Sequence, residues 1–387
     1  MERTKKASRN IFFGIIEKII NMILPFITRT VIIYKLGSLY LGLNGLFSSI
    51  LQVLNLTELG FSNAIIYSLY KPYYSRDKEK VCALLNLFRK VYILIGIIIF
   101  VLGLILMSFL NHLISGNYPN NINIYFVYLI QLLGVVVTYT IFSYKSVLLN
   151  VSERNDILSN VNTILNLLKN LIQILLIFIY KNYYLYLIVV PIINILNNLI
   201  CSKIVDKKFK EYKPKGEIST TEKKQIKKSV LGILLQKICY QVRNSFDTIF
   251  LSMFLGLNVV AIYSNYYSIF WAVTVFISVI ISSISSIIGN SVASNDVDKN
   301  YDDMMKLNFI YLWISGVSTV CLLCLYQPFM KLWLGEKYML DFLSVILFCV
   351  YFYSLKIGDI RQSYFEASGL WYEGKYIPLL QTLVNII

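Results

Sequence analysis

Histidine is almost missing from this chain: there is one, His112, in 387 residues. One imidazole, placed near the end of an apolar run, is not expected to build a histidine-based metal site or a catalytic triad. His112 itself, near the end of an apolar run, reads as an interfacial residue. Charge is also scarce. Asp, Glu, Lys and Arg make up 15% of the residues and hydrophobic types 57%, whereas soluble domains carry about 25% charged residues. That balance excludes a water-soluble enzyme. The wealth of Ile, Leu, Tyr and Phe excludes disorder, which requires low hydrophobicity. There is no Gly-x-x-x-x-Gly-Lys phosphate loop, no cluster of metal ligands, and no stretch outside the apolar runs long enough for a catalytic domain. No cofactor or metal site is expected, and the chain is not expected to be an enzyme. Cys82, Cys201, Cys239, Cys321, Cys324 and Cys349 lie mostly within apolar runs and read as small core residues; Cys321 and Cys324 have redox-pair spacing without a turn or basic surroundings.

What is present is a succession of apolar runs, each near the roughly 20 residues needed to cross a bilayer. The runs are 11–33, 43–69, 92–114, 124–149, 157–180, 184–204, 230–254, 259–288, 307–329, 342–357 and one beginning near Tyr376. An all-α polytopic membrane protein with about eleven helices is predicted. The opening Met1-Glu-Arg-Thr-Lys-Lys has the charge of a signal-peptide start, but Glu17, Lys18 and Asn21 interrupt the apolar segment and no small-residue cleavage site follows, so it reads as a retained helix. Arg3, Lys5, Lys6 and Arg9 set the N-terminus in the cytoplasm. The alternation continues: Lys71, Arg76, Lys78, Lys80, Arg89 and Lys90 follow the second run, Lys145 and Arg154 the fourth, and the basic stretch 203–228 the sixth. Most of the net charge of +15 therefore orients helices. The polar stretch Asp206-Lys-Lys-Phe-Lys-Glu-Tyr-Lys-Pro-Lys-Gly-Glu with Glu222-Lys-Lys-Gln-Ile-Lys-Lys has two readings, a contact with anionic headgroups or a positive-inside anchor joining two halves, and the anchor is the simpler. No nucleic-acid recognition module accompanies the charge.

The chain also repeats itself. Leu36-Gly37 matches Leu255-Gly256, an offset of 255 minus 36, or 219, and the same offset sets Asp77-Lys-Glu-Lys80 against Asp296-Val-Asp-Lys299. Gly96 and Gly316, and Ser146 and Ser363, match with slight drift. Six helices per repeat keeps both halves facing the same way, a parallel repeat about an axis along the membrane normal, which places a cavity between the halves. The expected organisation is an N-terminal six-helix lobe (1–205), a basic cytoplasmic linker (206–229) and a C-terminal lobe (230–387). The last is short by about one and a half helices and reads as truncated.

Charges inside the spans carry the functional signal, because one at the bilayer centre costs roughly 2.5–3.5 kcal/mol on insertion scales and must face protein or water. Glu58, Lys169, Arg243 and Asp247 sit near mid-span; Glu17, Lys18, Arg29 and Lys237 lie nearer the ends, within reach of the headgroups. At helical spacing, Lys18, Asn21, Pro25, Thr28 and Arg29 form a polar stripe in the first run, and Ser48, Gln52, Asn55, Glu58 and Ser62 one in the second. Asn162, Asn166, Lys169, Asn170 and Gln173 do so in the fifth, and Lys237, Gln241, Asn244 and Thr248 in the seventh, beside Arg243 and Asp247. The amides taken singly read as interhelical hydrogen bonds. Arg243 and Asp247, four apart, read either as site residues or as a self-neutralising pair. Lys18, Arg29, Lys169, Lys237 and Arg243 outnumber Glu17, Glu58 and Asp247, so the cavity is predicted to be cationic and to favour an anionic group such as a diphosphate. An exporter of organic cations would need the opposite sign. A lipid-linked glycosyltransferase or ligase would need a sizeable outer loop with Arg, His or Asp, and the outer loops are short.

Leu36-Gly37-Ser-Leu-Tyr40-Leu41-Gly42-Leu43, then Leu59-Gly60-Phe61-Ser62-Asn63-Ala64, resembles the start of the bacterial polysaccharide flippases (Wzx type, or oligosaccharide repeat-unit transporters) of the multidrug/oligosaccharidyl-lipid/polysaccharide (MOP) exporter superfamily. Gly358-Asp-Ile-Arg361-Gln-Ser-Tyr-Phe-Glu-Ala367-Ser-Gly369-Leu is similar to that family's tenth helix and the turn after it. The second repeat has Val279 where the first has Gly60, which leaves the bend there open. The resemblance implies a MATE/MOP-like fold of two six-helix lobes opening alternately to each side of the bacterial cytoplasmic membrane. The implied cargo is an undecaprenyl-diphosphate-linked oligosaccharide for capsule or another surface polysaccharide, moved with a proton or sodium gradient. Lys18, Arg29, Lys169, Lys237 and Arg243 would hold the diphosphate, and Glu58 or Asp247 the coupling ion. Polysaccharide polymerase and glycosyltransferases are the implied partners, beside membrane lipids. The alternatives are a drug/cation antiporter or lipid II/teichoic-acid flippase of the same fold, and a membrane glycosyl or polymer transferase.

Overall fold

The computed structural model describes residues 2–55, 61–293 and 297–368. Among the described residues the regular elements are helical: α1 Glu2–Lys35, α2 Ser38–Leu54, α3 Phe61–Tyr74, α4 Lys78–Met107, α5 Ile124–Thr140, α6 Val147–Val151, α7 Asn155–Tyr180, α8 Tyr183–Lys208, α9 Thr220–Leu255, α10 Leu257–Ala293, α11 Val297–Trp333, α12 Phe342–Ile357 and α13 Asp359–Ala367. Short polar side chains start many of them by accepting orphan backbone N–H groups. Asp77 caps α4 through Lys80 N at 3.0 Å, Asn123 caps α5, Asn182 caps α8, and Ser219 with Glu222 forms a capping box on α9.

By length and composition, six of the described helices are able to cross a membrane, and α5 with residues 143–151, bent by 51°, is a broken span or a re-entrant loop. The outer face of α4 shows why a bilayer is needed. Leu94, Ile97, Val101 and Ile105, at helical steps, are 55%, 52%, 48% and 54% exposed, an apolar stripe that only lipid can cover. One of the apolar runs is broken within the described residues: 124–149 divides into α5 and α6 with a turn at 143–146. Cys321 and Cys324 are exposed on α11 rather than being core residues, because on a lipid-facing helix an apolar neighbourhood does not mark the interior.

The repeat is visible in the helix starts: α10 begins 219 residues after α2 (257 minus 38). At the matched Leu-Gly pairs the chain makes the same turn. Gly37 and Gly256 have φ of 111° and 84°, and each donates its N–H five residues back, to Ile32 O and Leu251 O, both at 3.0 Å. A left-handed or extended positive-φ residue is needed there, which only glycine adopts without strain. At Val279 α10 runs on without a break.

Contacts divide the chain into two compact units, Met1–Val260 and Ala261–Pro378. In the first, α1 and α7 run side by side with α8 behind α7, and α2 lies against α9. The basic stretch after α8 is packed chain. Phe209 and Tyr212 lie against Tyr73, with ring centroids at 6.5 and 6.0 Å, and Asn86 Nδ2 donates to Gly216 O at 2.8 Å.

Candidate functional site: a polar seam between α1 and α7

In the first unit the polar stripes of α1 and α7 face each other in parallel register. At one end Asp156, only 4% exposed, binds both Arg9 and Arg154, at 2.9 and 3.0 Å. Further along, Asn162 Nδ2 donates to Glu17 Oε1 and Asn166 Nδ2 to Asn21 Oδ1, each at 3.2 Å. Both pairs differ by 145 in number, so Thr28 falls level with Gln173 and Arg29 with the next residue, Ile174. Gln173 is buried and donates to Tyr186 O at 2.9 Å. The Arg29 guanidinium is within electrostatic reach of the Tyr186 phenol.

Lys169 is half-buried in the same seam, with Nζ donating to Asn166 Oδ1 at 3.1 Å. Lys18 is exposed. Lys18 and Arg29 are eleven residues apart, three helical turns, and so share a face of α1. Beyond Arg29 the seam meets aromatic rings. Tyr183 stacks on Tyr186 with centroids 5.8 Å apart and meets Tyr40 edge-on at 5.0 Å. Tyr40 Oη also bonds Asn121. The seam therefore offers basic side chains beside amides and phenols, a set able to bind a phosphate and hydroxyl-rich groups.

The amides are largely engaged with one another. Asn197 bonds Asn162 at 2.8 Å, Asn170 bonds Asn166 O at 2.6 Å, and Asn194 bonds Gly134 O at 2.9 Å. The stripes of α2 and α9 meet in the same way, with Gln241 Nε2 on Gln52 Oε1 at 2.9 Å and on Ser245 Oγ at 3.0 Å. Asp247 is half-buried on α9 and has an interaction partner. Lys237 and Arg243 lie within α9, but their side chains fall outside the described set, and Glu58 lies outside the described residues. Of the seven expected site residues, the structure thus brings Arg29 and Lys169 to one seam, with Lys18 on its exposed side.

A second polar cluster, in the Ala261–Pro378 unit, was not expected from the sequence. Lys356, 6% exposed, donates to Asp359 Oδ2 at 2.9 Å, and Tyr311 Oη donates to the same oxygen at 2.5 Å. On the Tyr311 face of α11, Asn308 Oδ1 and Ser315 Oγ are buried without a hydrogen-bond partner among the described residues. The signal was available as a Lys and an Asp three apart across Gly358, at the edge of an apolar run. Among the described residues no group of three or more His, Cys, Asp or Glu is placed to hold a metal.

The helical arrangement has solved counterparts. An inward-facing multidrug resistance MATE family transporter of the MOP superfamily superposes with a TM-score of 0.73 at 16% identity, over 95% of this chain and 84% of that one. An outward-facing one gives 0.62 at 15% identity, over 98% and 86%. A mutant of the Vibrio cholerae MATE transporter VcmN gives 0.65 at 14% identity, over 98% and 88%. At such identities the likeness establishes the fold, and it is the MATE fold of the MOP superfamily. No curated protein matches the chain by sequence. The family model described as polysaccharide biosynthesis protein matches residues 7–285, more than half of the 387 residues, and establishes that this chain belongs to the polysaccharide biosynthesis protein family.

Proposed function

We propose that this protein moves an undecaprenyl-diphosphate-linked oligosaccharide repeat unit from the inner to the outer leaflet of the bacterial cytoplasmic membrane, for capsule or another surface polysaccharide, by alternating access. The observation that carries this reading is the sign of the charge along the α1–α7 seam: Arg29 and Lys169 lie half-buried along the helix pair, with Lys18 on its exposed side. Burying cations at that depth is costly, and an anionic cargo that must cross the same depth offsets the cost. The family's role in polysaccharide biosynthesis supports the same cargo. The similar solved structures include multidrug resistance transporters, but the seam has the wrong sign for organic cations.

In this reading Lys237 and Arg243 complete the cationic set, and a proton or sodium gradient drives the cycle through Glu58 or Asp247. The basic N-terminal residues keep that end in the cytoplasm. Polymerase and glycosyltransferases act on the same cargo and are the proposed partners. Deleting the coding sequence in its host is expected to remove the surface polymer and to leave lipid-linked repeat units accumulating in the inner leaflet, measured by lipid extraction and leaflet-selective labelling. Intact polymer combined with raised drug sensitivity would show a drug/cation antiporter instead.

A further inference from the structure

The stretch after α8 encloses space. Together with the end of α8, the turn at 143–146 and the first turns of α4, it forms a cavity of about 670 Å³, within the roughly 300–1,000 Å³ of small-ligand sites. Its walls carry Arg89, Lys145, Lys210, Lys213 and Lys215 against one carboxylate, Asp206. That carboxylate is already spent. Lys145 Nζ reaches both of its oxygens, at 2.8 and 2.6 Å, and Ser202 Oγ at 2.9 Å. The other four cations have no carboxylate in the cavity.

Exposed lysines are ordinarily solvated and idle. These differ in being brought from segments about 120 residues apart into one concavity floored by Leu85, Leu148 and Phe209. They are also held in place, since the loop that carries them is pinned by Tyr73 and Asn86. A neighbouring cavity of about 740 Å³ lines the same loop with acidic residues as well as basic ones. That cavity shares Lys213 and Lys215 and sets them, with Lys78 and Lys80, against Asp77, Glu79, Glu211, Glu217 and Glu222, so Arg89 and Lys210 are the cations of the first cavity that face no free carboxylate in either.

The cavity also adjoins an apolar track. Arg89 stands one helical turn before Ile93 and Leu94, where the exposed apolar stripe of α4 begins. A phosphate headed into the cavity can therefore lay an attached hydrocarbon along α4, which a free phosphate has no use for. Arg89 and Lys210, with the shared Lys213 and Lys215 beside them, exceed what a single phosphodiester offsets and suit a more highly charged diphosphate. We infer that this cavity docks the diphosphate headgroup of a membrane lipid before it reaches the α1–α7 seam. The inference deepens the function proposed above and rests on it for the identity of the lipid.

The test is binding of undecaprenyl diphosphate to the full-length protein in nanodiscs of zwitterionic lipid, at low ionic strength. Combining Lys210→Ala, Lys213→Ala and Lys215→Ala is expected to weaken binding roughly 10-fold or more, as three basic groups near an anionic headgroup require. The corresponding three Lys→Arg changes retain it. Removing the same charge outside the cavity, with Lys203→Ala, Lys207→Ala and Lys224→Ala, leaves it unchanged. Equal loss in that control, or phosphatidylglycerol or inorganic diphosphate binding as tightly as the prenyl diphosphate, would overturn the inference. The readout is binding, so the two readings fail separately. A protein that binds here but never translocates lipid-linked saccharide contradicts the proposed function and leaves the site standing. One that translocates, with binding unaffected by the cavity triple variant, does the reverse.

Discussion

Arg29→Ala is expected to reduce export of surface polymer by roughly 30-fold or more at unchanged protein level, from the approximately 2–5 kcal/mol that truncating a desolvated charge contact costs. The expectation rests on where Arg29 stands. It lies on α1 one residue beyond the level of Gln173, close to Tyr186 and on the same face as Lys18. A guanidinium there stays charged and presents a planar fork that grips a phosphate through two oxygens. Arg29→Lys keeps the charge but loses the fork, so it is expected to recover only part of the activity. That split separates phosphate binding from mere helix packing, since lysine fills nearly the same volume. Polymer on the cell surface, normalised to protein in the membrane fraction, is the measurement. Wild-type export by Arg29→Ala would remove the seam from the mechanism.

Gly42→Ala is expected to prevent assembly of the first unit. A methyl at that position would sit 2.0 Å from Leu257 O and 2.7 Å from Leu257 C. Both are backbone atoms at the start of α10, held by the turn at Gly256, and neither has a rotamer with which to yield. Overpacking a well-packed interior costs about 1–3 kcal/mol when side chains can shift, and occasionally more; here the backbone must move, so a loss of about 3 kcal/mol or more is expected. Gly45 supplies the contrast. Its added methyl would meet Val260 Cγ1 at 3.3 Å, a side-chain atom that can give way, so Gly45→Ala is expected to cost about 1 kcal/mol. Thermal unfolding of detergent-purified variants, with their yields from membranes, distinguishes the two.

The turns of the repeat were legible because they hang on a local backbone requirement. Leu36-Gly37 and Leu255-Gly256 need positive φ, and glycine marks that need in the sequence itself. The apolar runs were legible because the bilayer imposes a length and a composition. Helix ends were not. The third run was expected to start at residue 92, yet α4 starts at Lys78, because Lys and Glu are good helix formers and Asp77 caps the helix outside the bilayer. Hydropathy registers where lipid ends and not where the helix does.

The polar stripes of the sequence include the Arg29 and Lys169 seam. Periodicity identifies which residues share a face but not which face meets which. The pairing of Asn162 with Glu17 and of Gln241 with Gln52 comes from the fold alone. The same limit hid the Lys356, Asp359 and Tyr311 cluster, which joins the end of an apolar run to a residue beyond it and to another helix. It also hid the basic cavity. The charge of the stretch after α8 was plain in the sequence, but its concavity depends on Tyr73 and Asn86, more than 120 residues earlier.

The central claim is that this chain carries an anionic lipid-linked saccharide across a bilayer. It is tested most directly by reconstituting the purified protein in proteoliposomes that contain a fluorescent undecaprenyl-diphosphate-linked saccharide, and following its leaflet distribution with a membrane-impermeant quencher or lectin. The account predicts protein-dependent exchange between leaflets that is strongly slowed by Arg29→Ala. Exchange no faster than in protein-free vesicles, under an imposed proton gradient and under an imposed sodium gradient alike, would contradict it.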